Sequence, residues 1–247
     1  MISTSVANTV NRRLAVIPAR GGSKRIPNKN VLDFCGRPMM SHIIAAALTS
    51  DLFDEIHVST DSYAIAELAG SLGLEVAFLR PPHLADDHAP IMPVLKYVLE
   101  EYLGRGAAFD SVALLMACAP MITADDLRGA AALFDSHHGE RAVLGVAQYP
   151  CPVEWAFRRE PSGVLLPMQP GMFSVRSQDL APAYYDAGQF CFMSGQRVLA
   201  TTGAGSDEGF LGYPILRQQA IDIDTMDDWR FAELVFSSIR QQTRGRA

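Results

Sequence analysis

Apolar and polar positions alternate along this chain with two different periods. Leu14 to Pro18 (LAVIP) is a short continuous apolar run closed by proline, the pattern of a buried strand, and it leads into the loop Ala19-Arg20-Gly21-Gly22-Ser23-Lys24. After Pro38, the segment MMSHIIAAALTS has helical spacing, with the proline in the tolerated first turn. Glu55 to Ser59 predicts a strand, Tyr63 to Leu72 a helix and Glu75 to Leu79 a further strand. Ile91 to Leu103 predicts a helix, Ser111 to Met116 a central strand, and Ala124 to Phe134 a helix capped by Thr123. Strands separated by helices of this length predict an α/β fold, a Rossmann-like, mostly parallel sheet with helices on both faces.

From Ala142 onward the pattern loosens. AVLGVAQY is strand-like, but Pro150 to Leu180 is dense in Pro, Gly and aromatic residues and predicts a long excursion from the sheet that serves function or meets another chain. Asp227 to Arg240 predicts an amphipathic closing helix. Residues 1–13 are rich in Ser, Thr and Asn, lack the apolar core of a secretory signal and read as a disordered lead-in. A single domain over 14–247, with 150–180 as its excursion, is the expected organisation.

Composition narrows the function. A chain of 247 residues, 49% hydrophobic and 19% charged, suits one globular domain with a sizeable core. The net charge of −6 offers no broad basic surface, so nucleic acid is not an expected partner. No apolar run approaches the roughly 18 residues of a membrane span. Cys35, Cys118, Cys151 and Cys191 are widely separated, without CxxC or nearby His, which argues against a disulfide framework or a zinc site and for a reducing, cytoplasmic setting. The six histidines show no ligand spacing, and without a G-x-S-x-G elbow covalent acyl chemistry has no support.

Three constellations carry possible chemistry. Pro18 to Asn30 (PARGGSKRIPNKN) places four cations and two adjacent glycines in the turn after a strand, although it matches neither G-x-x-x-x-G-K-[ST] nor G-x-G-x-x-G. Glycine lets backbone approach a phosphate chain, and Arg20, Lys24 and Lys29 would neutralise it at the strand end where open α/β sheets bind ligands. In Asp222-Ile223-Asp224-Thr225, alternation puts both carboxylates on one face, which suits Mg²⁺; a polar turn capping the next helix is the equally open alternative. In the loose region, Arg176-Ser177-Gln178-Asp179 and Tyr184-Tyr185-Asp186-Ala187-Gly188-Gln189 combine a carboxylate-gripping Arg with side chains suited to sugar hydroxyls, a weak indication from composition alone. Arg80-Pro81-Pro82 and Asp86-Asp87 are uninformative without context.

The opening LAVIPARGGSKRIPNKN resembles the signature of the CMP-sialic acid synthetases. STD at Ser59 to Asp61, RPPHLADD at Arg80 to Asp87 and DIDTMDDW at Asp222 to Trp229 follow in that family's order. RSQDL at Arg176 and YYDAGQF at Tyr184 look most like the branch acting on pseudaminic acid. The resemblance, which spans Leu14 to about Leu234, implies the nucleotide-diphospho-sugar transferase fold and transfer of CMP from CTP to an acidic nine-carbon sugar, with release of pyrophosphate. It further implies a homodimer in which the excursion reaches the partner's site. By resemblance, Ala19, Arg20, Gly21, Lys29, Asn30 and Arg80 bind nucleotide, while Arg20, Lys24, Asp222 and Asp224 are catalytic, the two aspartates holding Mg²⁺. Arg176, Gln178, Tyr184, Asp186 and Gln189 face the sugar.

One departure is Ala117-Cys118-Ala119-Pro120, which lacks a hydroxyl that relatives carry beside the cleft. N-acetylneuraminic acid, legionaminic acid or another acid sugar are alternative substrates, and a non-catalytic nucleotide-binding protein is the alternative of another class.

Overall fold

The computed structural model describes residues 12–86 and 89–244, so residues 1–11 of the expected lead-in and Asp87 lie outside the described residues. The chain runs β1 (Arg13–Pro18), β2 (Asp33–Phe34), β3 (Arg37–Pro38), α1 (Met39–Ser50), β4 (Glu55–Ser59), α2 (Tyr63–Ser71), α3 (Ile91–Gly104) and β5 (Ser111–Leu115). It continues through α4 (Ala124–Ser136), β6 (Ala142–Gln148), β7 (Phe157–Arg159), β8 (Leu165–Pro167), β9 (Tyr184–Ser194), α5 (Gly195–Ala200), β10 (Phe210–Pro214) and α6 (Met226–Arg244). Arg13 belongs to β1 and not to the lead-in, because its guanidinium is buried against Ser111 and ion-paired with Asp135.

Six strands form the main sheet in the order β10-β6-β9-β5-β1-β4. The pairs β4–β1, β1–β5 and β6–β10 are parallel, whereas β9 lies antiparallel between β5 and β6. Alternation along β1 sorts the two faces. Ala15 and Ile17 enter the core under α1, α2 and α4, while Leu14 and Val16 face α3 and α5. Thr123 caps α4 in a reciprocal box with Asp126, as its sequence predicts.

Glu75 to Leu79 is not a strand. The segment passes the β4 edge without ladder pairing, its Phe78 ring stacked on His57 with centroids 4.4 Å apart, and it regains the sheet end where the Arg80 amide donates to Thr60 at 2.7 Å. The excursion has structure of its own: β7 and β8 pair as a hairpin, and Phe173 packs on Trp155 and Phe157.

A third core cluster matters most for function. Ile26 from the basic loop, Phe34 of β2, Met39 at the start of α1, and Ile223 pack with Trp229, Ala232 and Phe236 of α6. Each fully buried large side chain of this kind contributes about 1.5–3 kcal/mol. This apolar plug therefore fixes the basic loop and the Asp222–Asp224 segment relative to each other.

His42 of α1 closes the same cluster, edge-on to Phe34 and Phe236, with Nε2 on the Phe34 carbonyl at 3.0 Å and Nδ1 buried without a partner among the described residues. Burial lowers its pKa to about 4; the Phe34 carbonyl and Asp33 raise it, and Arg37 and Arg240 lower it. A folded pKa below the unfolded 6.5 means that His42 supports the fold fully above pH 6.5 and loses this support as pH falls toward 4. Urea midpoints measured at pH 7 and 4.5 should therefore fall further for the wild type than for His42→Gln. Equal falls would contradict the assignment.

Candidate active site

The basic loop is held by its backbone before its side chains act. Ala19 donates its N–H to Ser59 O at 2.9 Å, Gly21 donates to Asp61 Oδ1 at 2.9 Å, and Asn30 Nδ2 donates to Arg20 O at 3.1 Å. Gly21 favours close approach, since a Cβ there would meet Ser62 Cβ at a tight 3.2 Å. Its amide, expected to bind nucleotide, is thus taken by Asp61. Beyond it, Ile26 drops into the third cluster, and the intervening Ser23, Lys24 and Arg25 line a cleft together with Arg20.

Asp222-Ile223-Asp224 meets the basic loop at the same cleft. Ile223 is buried, and both flanking carboxylates line the cleft, as strand-like alternation requires. Arg25 Nη1 lies 2.6 Å from Asp224 Oδ2, and Lys29 Nζ donates to Ile223 O at 2.5 Å while standing 3.7 Å from Asp224. Burial, and then the adjacent Asp224 charge, push the Asp222 carboxyl above the usual range. The capping alternative also holds, through the next residue: Thr225 Oγ1 accepts from the Asp228 amide, and Asp228 accepts in return from Thr225.

Arg80 is no surface residue. It is 6% exposed, donates from Nε to Ser59 Oγ at 3.1 Å and from Nη2 to Ser59 O at 2.5 Å, and lines the cleft near Arg20. Burial lowers its pKa to about 10, with Asp61 opposing and Arg20 adding to the shift. Two guanidinium groups converging in this way suit an anion.

The floor comes from β5 and β9. The register of β9 on β6 shifts between Leu144 and Val146, and Gly188 takes φ +62°, so that Ala187-Gly188-Gln189 bulges toward the cleft. Gln189 is buried and ties this bulge to the segment before Asp222, donating from Nε2 to Ala187 O at 2.8 Å and Ile221 O at 3.4 Å. Its Oε1 has no partner among the described residues. The Cys118 thiol donates to Asn30 Oδ1 at 3.4 Å, and burial pushes its pKa up to about 11, leaving it neutral.

The cleft measures about 540 Å³, inside the roughly 300–1,000 Å³ range of small-molecule sites. Five cations (Arg20, Lys24, Arg25, Lys29, Arg80) face three carboxylates (Asp86, Asp222, Asp224), although the whole chain carries −6. Of the predicted residues, the structure brings together Arg20, Lys24, Lys29, Asn30, Arg80, Gln189, Asp222 and Asp224. Ala19 and Gly21 sit behind this lining.

Arg176, Gln178 and Tyr184 do not join the cleft. Arg176 grips Asp179 at 2.7 and 3.1 Å on the exposed excursion, and Tyr184 is 49% exposed. Asp186 instead borders a second cavity of about 570 Å³ under loop 201–208, which has an apolar floor of Leu114, Leu144 and Met193 and shares Ile91 with the cleft. Arg25 is the cleft residue least evident from sequence. Nothing local distinguishes it from a solvated cation; only its bond to Asp224 does.

A polyanion cleft over the carboxyl ends of parallel strands, with paired carboxylates facing a basic loop, defines a nucleotidyltransferase of the α/β class. The fold agrees: a CMP-2-keto-3-deoxy-manno-octonic acid synthetase solved with CTP superimposes with a TM-score of 0.67 at 17% identity, covering 92% of this chain and 99% of that one. The family model for cytidylyltransferases matches residues 14–103. A pseudaminic acid cytidylyltransferase of Campylobacter jejuni is 34% identical over 91% of this chain and 96% of its own length. A CMP-N,N'-diacetyllegionaminic acid synthase of Legionella pneumophila is 32% identical over 90% and 95%. The chain belongs to the acylneuraminate cytidylyltransferase (CMP-sialic acid synthetase) family and is a CTP-using nucleotidyltransferase.

Proposed function

We propose that the protein transfers CMP from CTP to the anomeric hydroxyl of a nonulosonic acid, with pseudaminic acid as the preferred acceptor. The observation that carries this reading is that Arg20, Lys24 and Arg80 line one cleft together with Asp222 and Asp224. The sugar oxygen attacks the α-phosphorus in line, its new P–O bond replacing the bond to the β-phosphate, and pyrophosphate departs. Arg20 and Lys24 neutralise charge building on the phosphates, and the buried Arg80 holds its position through Ser59 so that little reorganisation is needed.

Asp222 and Asp224 are the residues that would hold Mg²⁺. They fit it: two neighbouring carboxylates on one face, Asp222 raised in pKa by burial and by Asp224, would gain from a divalent cation, for which the exposed Arg25 would have to release Asp224. When bound, the ion supplies charge neutralisation at the phosphates.

The second cavity suits the acceptor's tail. Its apolar floor favours acylamido and methyl substituents over bare hydroxyls, and Asp186 borders it. The exposed Phe157, Leu165, Leu166, Met168 and Phe173 of the excursion suit a second copy of the chain, which would bring Arg176 to the partner's acceptor. Among the described residues no helix is long and apolar enough to cross a membrane, and a cytoplasmic setting is part of the proposal.

Acceptor choice is tested by kcat/KM for pseudaminic, legionaminic, N-acetylneuraminic and eight-carbon acid sugars with CTP. The highest value belongs to pseudaminic acid, and a higher value for any other acid refutes the preference. Arg176→Ala raises the KM of the acid sugar about tenfold, the loss of one charge-assisted contact, and leaves the KM of CTP unchanged. An effect confined to CTP refutes the role of Arg176.

A further inference from the structure

Three consecutive residues at the end of β4 hold both cationic arms of the cleft. Ser59 O accepts from the Ala19 amide at 2.9 Å and from Arg80 Nη2 at 2.5 Å, Ser59 Oγ accepts from Arg80 Nε, and Thr60 O accepts from the Arg80 amide at 2.7 Å. Ser59 and Thr60 are buried, 1% and 0% exposed, and their bonds are those of a folded scaffold. Asp61 differs. It is exposed, and its side chain reaches across to the basic loop, where Oδ1 accepts the Gly21 N–H at 2.9 Å.

That bond completes a bracket around Arg20. The residue before it is held through the Ala19 amide, its own carbonyl by Asn30 Nδ2, and the next amide by Asp61. A carboxylate beside a triphosphate site repels the ligand, so its presence there calls for a compensating task. Gly21 eases that task, since a Cβ there would stand 3.2 Å from Ser62 Cβ and would press the loop away from it.

We infer that Asp61 is a positioning residue of the nucleotide site: by holding the Gly21 amide, it fixes the backbone that aims Arg20 at the phosphates. Nothing in this role requires contact with the acid sugar. The carboxylate also lies within the field of Arg80, so it reduces the mutual repulsion of the Arg20 and Arg80 guanidinium groups before nucleotide binds.

The inference rests on the cleft taking CTP, so calorimetric binding of CTP to the wild-type enzyme comes first; absence of binding there would fail that premise and not the role of Asp61. With binding established, Asp61→Ala and Asp61→Asn are compared in steady-state kinetics and thermal unfolding. Asn keeps an acceptor for the Gly21 amide and removes the charge. Asp61→Ala raises the KM of CTP about tenfold, with the KM of the acid sugar and the melting temperature near wild type, and Asp61→Asn restores the KM of CTP to within about threefold. A CTP KM unchanged in Asp61→Ala overturns the inference. So does an equal loss in both variants, which would make the charge and not the held amide responsible, and so does a parallel rise in both KM values with a lowered melting temperature, the mark of a general structural role.

Discussion

Replacing Asp224 by Asn lowers turnover about a hundredfold or more while CTP binding changes by no more than a few-fold. The amide side chain keeps the shape and one acceptor, so the plug formed by Ile223, Trp229 and Phe236 stays intact. What the change removes is a charge on the cleft wall and a hard anionic oxygen for a cation. The bond to Arg25 is also weakened, but Arg25 is 69% exposed and an ion pair so open to water contributes little. The effect therefore falls on the step in which phosphate charge is redistributed and leaves the step that seats the nucleotide nearly unchanged. Single-turnover rates beside calorimetric CTP affinities separate the two. Near-normal turnover in Asp224→Asn would refute the catalytic role of this carboxylate.

Arg20→Ala lowers kcat/KM for CTP about 10²- to 10³-fold, and Arg20→Lys recovers only part of it. The backbone of Arg20 is bracketed on both sides by fixed amides, at Ala19 and Gly21. A side chain on such a base is pre-organised, and a planar fork on it can meet two phosphate oxygens at once, whereas an ammonium at the same place is a point charge on a flexible tether. Lys24, on the exposed part of the loop, has a smaller effect. A loss in Arg20→Lys that is smaller than in Arg20→Ala but still well below wild type supports the fork; full activity in Arg20→Lys would show that charge alone suffices.

Much of the sheet was legible because its strands and helices obey separate periods. LAVIP, EIHVS and SVALL are short apolar runs between helices of regular spacing, and each is a strand within a residue or so of its expected limits. Edges and antiparallel insertions were not legible. EVAFL has the composition of a strand, yet among the described residues no strand pairs with it: its Phe78 serves the aromatic cluster around His57 and Tyr102 instead. β9 was missed for the opposite reason, since Asp186-Ala187-Gly188-Gln189 looks like a turn and is in fact a bulge inside an 11-residue strand.

The candidate site divides along the same line. Arg20, Lys24 and Lys29 could be read as a phosphate-facing group from local pattern because the glycines mark their turn, whereas alternation about Ile223 placed Asp222 and Asp224 on one face and left their task open between a cation and a cap. The roles of Arg25, Asp61 and Arg80 depend on partners far along the chain: Asp224 for Arg25, Gly21 for Asp61 and Ser59 for Arg80. No local signal reports such contacts. Arg176 and Gln178 illustrate the converse, a motif legible from resemblance whose side chains stay outside the cleft of their own chain.

The measurement that tests the central claim most directly follows one oxygen atom. Pseudaminic acid carrying ¹⁸O at its anomeric hydroxyl is turned over with CTP and Mg²⁺, and the products are resolved by mass spectrometry. The account predicts a CMP-sugar that retains the label in its ester bridge and pyrophosphate that carries none, the result of attack by the sugar oxygen on the α-phosphorus. Label lost from the CMP-sugar, or no CMP-sugar formed while CTP is bound, would contradict the assignment of the cleft as the seat of this transfer.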